Sequence, residues 1–250
     1  MQKILISLCF FMSISWGQGT DDVTVAEGST YNGSIQTTSG DITVYENARV
    51  KQNITTTNGD IYLEAGSRAK EVTTTNGDIF IAENVTIDKS VGSVNGSIFI
   101  ESGTSIKNDV ISLSGDIRIN GAQVKKNVKI RDGSLIMNDG AVIKKKVEVL
   151  DRGGNSGNSA NLEIVEIYVG YECVIKGDIK VDSHWDNVEL EVSGGEVQGD
   201  VDNEITVIGE DNDNDDDDEE DEEDDDDDDD DDEDDDDDDD DDGKKDKKKK

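Results

Sequence analysis

From Asp22 onward the chain sets apolar residues in pulses of two, with one polar residue between them, and the pulses recur. Asp22-Val23-Thr24-Val25 is followed by Asp41-Ile42-Thr43-Val44, Asp60-Ile61-Tyr62-Leu63, Asp78-Ile79-Phe80-Ile81, Ser97-Ile98-Phe99-Ile100, Asp116-Ile117-Arg118-Ile119 and Ser134-Leu135-Ile136-Met137. The spacing is 18 or 19 residues, and a glycine precedes the Asp or Ser in every unit after the first. Alternation with period two marks strands, and no helical period accompanies it. Two further pulses complete each unit, as Val50 and Ile54 follow Ile42 and Val44. Three strands of about six residues, with a turn at each corner, describe one coil of a parallel β-solenoid in which each strand pairs with its equivalent one coil away. Independent hairpins would not hold one register over seven units. The corners are expected at Asn58-Gly59, Asn76-Gly77 and Asn95-Gly96, where Asn and Gly tolerate left-handed backbone.

The predicted class is therefore all-β: a single-stranded, triangular parallel β-solenoid of 18–19 residues per coil, followed by a disordered acidic tail. Regular coils are expected over residues 20–152 and a Gly/Asn/Ser loop over 153–161. Residues 162–209 read as irregular terminal coils and a cap, with alternation through Leu162, Ile164, Ile167, Val169, Tyr171, Cys173 and Ile175. Gly177-Asp178-Ile179-Lys180-Val181 restores the repeat signature, and Gly199-Asp200-Val201 echoes it. Residues 1–19 have the form of a secretory signal peptide, with Lys3 at the start, an apolar run from Ile4 to Trp16 and small residues near Gly17. The mature chain is thus expected to be secreted, at the cell surface or in the periplasm, with no transmembrane segment of its own.

Gly40 to Ile54, reading Gly-Asp-Ile-x-Val and then Ala-x-Val-Lys-x-Asn-Ile, and Ala122 to Val128 resemble the bactofilins, polymer-forming β-helical proteins. The Thr-Thr-Asn-Gly-Asp-Ile strings at 56–61 and 74–79 are similar to adhesin-type β-solenoids of bacterial envelopes. Together the likenesses cover roughly residues 22–150. They imply a right-handed helix, end-to-end assembly and no catalysis. The apolar start and the acidic end depart from both patterns.

Charge changes the picture at the C-terminus. Residues 210–242 hold 31 acids in 33 positions, and six Lys follow before the end, whereas residues 20–209 hold 30 acids against 17 bases. A segment with no apolar residue and such self-repulsion is expected to stay unfolded (210–250). Its flexible carboxylates suit Ca²⁺ or polycations at many weak sites, represented by Asp215, Asp216, Asp224, Asp225, Asp234 and Asp235. The one cluster of bases visible along the chain is the terminal Lys run, behind a far larger acidic block, so nucleic acid is not an expected partner. Nor is catalysis: His184 is the sole histidine, and neither a nucleophile motif nor a phosphate loop is present. With Cys9 in the apolar start, Cys173 is the one thiol of the remaining chain, and its place in the alternation predicts an inward, unreactive side chain.

Three outward columns remain as candidates. Tyr62, Phe80 and Phe99 fall on successive coils as a contact ladder for a partner, a glycan or a second solenoid. Asp41, Asp60, Asp78 and Asp116, interrupted by Ser97 and Ser134, stack along one corner, either as a row of cation ligands or as side chains bonded to local backbone N–H groups. Thr55/Thr57 and Thr73/Thr75 form a short flat array. The expected function is a noncatalytic structural or adhesive surface element that self-associates and carries no cofactor other than Ca²⁺; the alternative is a glycan- or ice-binding module.

Overall fold

The computed structural model describes residues 4–6, 20–151, 164–182 and 187–208. These lie in the first of two units, Met1–Asp211, the second being Asn212–Lys250. The described residues form strands and turns without a helix, and so include no helix long and apolar enough to cross a membrane. The predicted solenoid is observed: three parallel sheets, in which each strand bonds to its equivalent one coil before and one coil after.

Face one is an eleven-stranded sheet that begins with Ile4–Ile6 and Val23–Val25, continues through Ile42–Val44, Ile61–Leu63, Ile79–Ile81 and Ile98–Ile100, and ends at Ile205–Ile208. Face two has nine strands of two residues each, such as Arg49–Val50, Thr86–Ile87 and Gln123–Val124. Face three has eight, the longest being Asn53–Asn58 and Glu71–Asn76. The faces are therefore unequal, not three strands of about six, because the corners absorb much of each coil. The register matches the repeat: Ile61, Tyr62 and Leu63 lie beside Ile79, Phe80 and Ile81. Ile4–Ile6, inside the segment read as a signal, pairs with Val23–Val25 at the edge of face one.

Alternation sends every second residue inward. Ile42, Ile61, Ile79, Ile98, Ile117 and Leu135 on face one, with Val50, Ile87 and Ile106 on face two and Ile54, Val72 and Val91 on face three, are buried in one continuous core. Full burial of such a side chain is worth ~1.5–3 kcal/mol, repeated on every coil. At the first corner, between faces one and two, small residues point inward: Ala48, Ala122, Ala141 and Cys173 occupy equivalent turns, closed in the case of Cys173 by its N–H on the Gly170 carbonyl at 3.1 Å.

Two expectations about corners need correction. Positive φ recurs at the first corner, at Asn47 (φ 55), Gly66 (φ 68), Asn84 (φ 59) and Gly103 (φ 71), and of the predicted corner pairs only Gly77 (φ 157) takes it, with Gly115 (φ 136) and Gly133 (φ 132) further along the same corner. At that third corner, between faces three and one, every glycine is needed for closeness, whatever its φ. A Cβ on Gly77 would lie 2.1 Å from the Gly59 carbonyl oxygen, and one on Gly96 would lie 2.0 Å from that of Gly77.

The second correction concerns the terminal coils. Ile179–Val181 pairs with Val147–Val149 on face three, so the Gly177-Asp178-Ile179 signature has moved to the second corner and does not restart face one. Val165–Val169 and Val188–Val192 supply face one there. The alternation is also displaced: Val165 is buried while Ile164 is exposed, and Tyr171 stands on a turn, largely exposed at 71%. The loop predicted at 153–161 lies outside the described residues, as does His184; both intervals interrupt the chain between a face-three and a face-one strand.

Candidate functional site

The corner aspartates are joined across coils. Asp41 Oδ1 accepts the N–H of Asp60 at 2.8 Å, Asp60 Oδ1 that of Asp78 at 2.8 Å, and Asp78 Oδ1 that of Ser97 at 2.8 Å. Ser97 Oγ accepts the N–H of Asp116 at 3.1 Å, and Asp116 Oδ1 that of Ser134 at 3.0 Å. The donors are 18 or 19 residues away, not local, and serine makes the same bond as aspartate. Backbone N–H dipoles compensate carboxylates that stand ~4.8 Å apart. The second oxygens are partly engaged as well: Asp60 Oδ2 accepts from Tyr62 Oη at 3.1 Å, and Asp116 Oδ2 lies 3.6 Å from Arg118. Among the described residues no group of three or more His, Cys, Asp or Glu is placed to hold a metal ion.

A buried counterpart runs inside the same corner, unforeseen from the sequence. Thr37, Thr56, Thr74, Ser93 and Ser112 point inward, and their hydroxyls donate to glycine carbonyls: Thr37 and Thr56 to Gly40 at 2.7 and 3.1 Å, Thr74 to Gly59 at 3.0 Å, Ser93 to Gly77 at 3.1 Å. A hydroxyl in an otherwise apolar core costs free energy unless bonded, and the glycine corner supplies the acceptor. The signal available was the Thr or Ser three residues before each corner glycine from Gly40 to Gly115.

Tyr62, Phe80 and Phe99 do form a ladder. Adjacent ring centroids are 5.0 Å apart with planes within 5° of parallel, and the Arg118 guanidinium lies over Phe99 at 5.9 Å. All three are half-buried. The ring faces are turned on one another, so the edges are what the surface presents. Burial first, then the hydrogen bond to Asp60 and the charges of Asp60, Asp41 and Asp78, push the Tyr62 phenol up to about 12. The threonine array is also self-bonded, with Thr55 and Thr73 hydroxyls 3.1 Å apart, and beside it Asn76 and Asn95 each donate to the previous coil's asparagine at 2.7 Å. Cys173 is fully buried, as predicted, and burial raises its thiol pKa.

Charged pairs bridge coils at the second corner. Asp88 takes two guanidinium nitrogens of Arg68 and the Lys107 ammonium at 2.5–3.0 Å. Burial would raise its pKa, but the bonds from Lys107 and Arg68 outweigh this and hold it below the usual range. The same corner gathers Lys125, Lys126, Lys144, Lys145, Lys146 and Lys176, a concentration of bases that the linear sequence conceals because each coil supplies only one to three. The tail positions Asp215, Asp216, Asp224, Asp225, Asp234 and Asp235 lie outside the described residues.

The model of one protein family, Toastrack DUF4097, matches residues 13–95. That is a third of the chain, spanning the first coils and the lower part of the aromatic ladder. With the three parallel sheets, the match fits a β-helix repeat protein of a structural repeat fold. The narrower bactofilin likeness rests on the motifs alone. No curated protein and no solved structure matches the chain.

Proposed function

We propose that the protein is a noncatalytic structural or adhesive element, secreted or held at the cell surface or in the periplasm, that self-associates and binds Ca²⁺ or basic partners through its acidic tail. The observation that carries this reading is the use to which the repeated polar side chains are put. Asp41, Asp60, Asp78 and Asp116, the Thr/Ser hydroxyls of the third corner and the Asn ladder all spend their bonds on the neighbouring coil. Side chains so engaged build a stiff column and leave recognition to surface strips and to the tail. The likeness to a structural repeat family supports the same reading.

A glycan- or ice-binding module draws less support. Sugar rings stack on exposed aromatic faces, and here both faces of Phe80 and Phe99 and one face of Tyr62 are taken up by the neighbouring ring or by Arg118. The test is electron microscopy and light scattering of the mature chain with and without calcium. Calcium-dependent growth in particle size is expected; a monodisperse monomer in both buffers, with affinity for a defined glycan, would sink the proposal.

A further inference from the structure

Lys107, Lys125, Lys144 and Lys176 stack directly on one another at the second corner. Each follows the inward residue of a face-two strand, and the N–H groups of Lys125, Lys144 and Lys176 donate to Ile106, Val124 and Ile143 at 2.9 Å each. Lys126 and Lys145 stand beside them one position further on, and Lys146 one beyond that. Over these four coils the corner residues 107–109, 125–127, 144–146 and 176–178 include seven Lys and two Asp. The ion pairs among the described residues engage Lys107 with Asp88 and Lys146 with Asp178, the latter at 3.9 Å; none engages Lys125, Lys126, Lys144, Lys145 or Lys176. A domain with an excess of acids thus carries a cationic strip whose lysines recur along the column at the coil spacing of ~4.8 Å.

We infer that this strip docks the acidic segment 210–242 of a second copy, and that the contact is how the chain associates when calcium is absent. The proposal deepens the reading of the tail as a ligand for basic partners, by naming the partner. Complementarity selects the segment: it holds 31 acids in 33 residues, against the seven Lys of the strip. Length lets the tail reach a second copy. Thirty-three residues reach roughly 110 Å when extended, while four coils span roughly 15 Å. A tail engaged on one strip keeps most of its carboxylates for the strips of further molecules, so tails bridge solenoids and association is multivalent. Long-range attraction between exposed charges also makes the contact salt-sensitive.

The test uses the full mature chain in buffer containing a calcium chelator, with sedimentation velocity as readout at low ionic strength and at about 0.5 M salt, where the screening length falls to a few ångströms. The wild type should associate at low salt and dissociate at high salt. A variant with Lys125→Gln, Lys126→Gln, Lys144→Gln and Lys145→Gln should lose roughly tenfold or more in association constant while keeping its circular dichroism and melting temperature. A control with Lys247, Lys248, Lys249 and Lys250 changed to Gln should associate like the wild type, and a synthetic peptide of residues 210–242 should dissolve the wild-type assemblies. Loss of association in the control instead of the strip variant, association in both, or a wild type that is monomeric at low salt would each overturn the proposal. Calcium uptake by the strip variant separates the two readings: if it persists, the tail remains a cation ligand whatever becomes of the strip.

Discussion

Gly77 illustrates how little room a short-coil solenoid leaves at a corner. Its absent Cβ is the space into which the Gly59 carbonyl fits, so Gly77→Ala places carbon 2.1 Å from oxygen and forces successive coils apart. Overpacking of this kind costs ~1–3 kcal/mol or more, and a clear drop in urea midpoint is expected. Gly92, on the outer side of face three, has no atom nearer than 3.8 Å to such a Cβ, so Gly92→Ala should leave the midpoint unchanged or slightly raised. Tyr62 makes a different claim at the same scale. Its phenol is held up at about 12, so between pH 10 and 12 the folded chain keeps a proton that the unfolded chain has released. The stabilisation is whole below pH 10 and fades as the pH climbs through the folded value. Urea unfolding across pH 9 to 12.5 should show wild-type stability falling relative to Tyr62→Phe; parallel profiles would mean that the desolvation and the Asp60 contact are absent in solution.

Within an element, alternate positions carry opposite meanings. Ile61 and Ile79 are fully buried on face one, while Thr57 is exposed at the end of a face-three strand. Ile79→Asp loses ~1.5–3 kcal/mol of burial and adds an unpaired carboxylate inside the column, so loss of cooperative unfolding is expected. Thr57→Asp should melt within a few degrees of the wild type, and equal behaviour of the two would reverse the register. The aromatic strip is the other element-scale claim. Since Tyr62, Phe80 and Phe99 are half-buried and turn their edges outward, changing all three to Ser should leave a folded solenoid with some loss of stability and, if the strip is a contact surface, weaker surface binding or self-association. Collapse of the fold on this triple change would make the stack a structural rib instead.

At the scale of the molecule, the proposed function puts cation binding on the tail and not on the corner column. The column's carboxylates already accept backbone N–H groups at 2.8–3.1 Å, and a cation would have to displace those bonds. Residues 210–242 hold 31 acids in 33 positions, a density of carboxylates suited to many weak cation contacts. Truncation after Gly209 should therefore abolish most low-affinity calcium uptake in equilibrium dialysis, while the β signal and the calcium-free melt stay nearly unchanged. Calcium retained by the truncated chain, or required for it to fold, would return the site to the corner. Wild-type uptake should weaken steeply with added salt, as expected of diffuse attraction.

Much of this architecture is legible in the primary structure because a solenoid repeats its constraints. The 18/19 spacing, the alternation at Ile61-Tyr62-Leu63 and the glycine before each Asp define strands, coil length, register and the inward set, since each coil sees nearly the same neighbours as the last. The aromatic ladder follows from that register. What the chain alone leaves open is how polar side chains are spent. An Asp at a corner reads equally as a metal ligand or a local cap until the next coil places an N–H on its Oδ1. Thr56 falls inward by alternation with Thr55 and Thr57, but its acceptor, the Gly40 carbonyl, is known only once the coils are stacked. In the irregular coils the Gly177-Asp178-Ile179 signature moves to another corner, because both corners need close backbone approach and an Asx bond. The lysines of the second corner, one to three in each coil and 18 to 32 residues apart along the column, become a strip only when the sheets stack them ~4.8 Å apart. Periodicity fixes direction along a strand, but contacts between coils join residues distant in the chain, and those contacts decide which charges and hydroxyls remain for a partner.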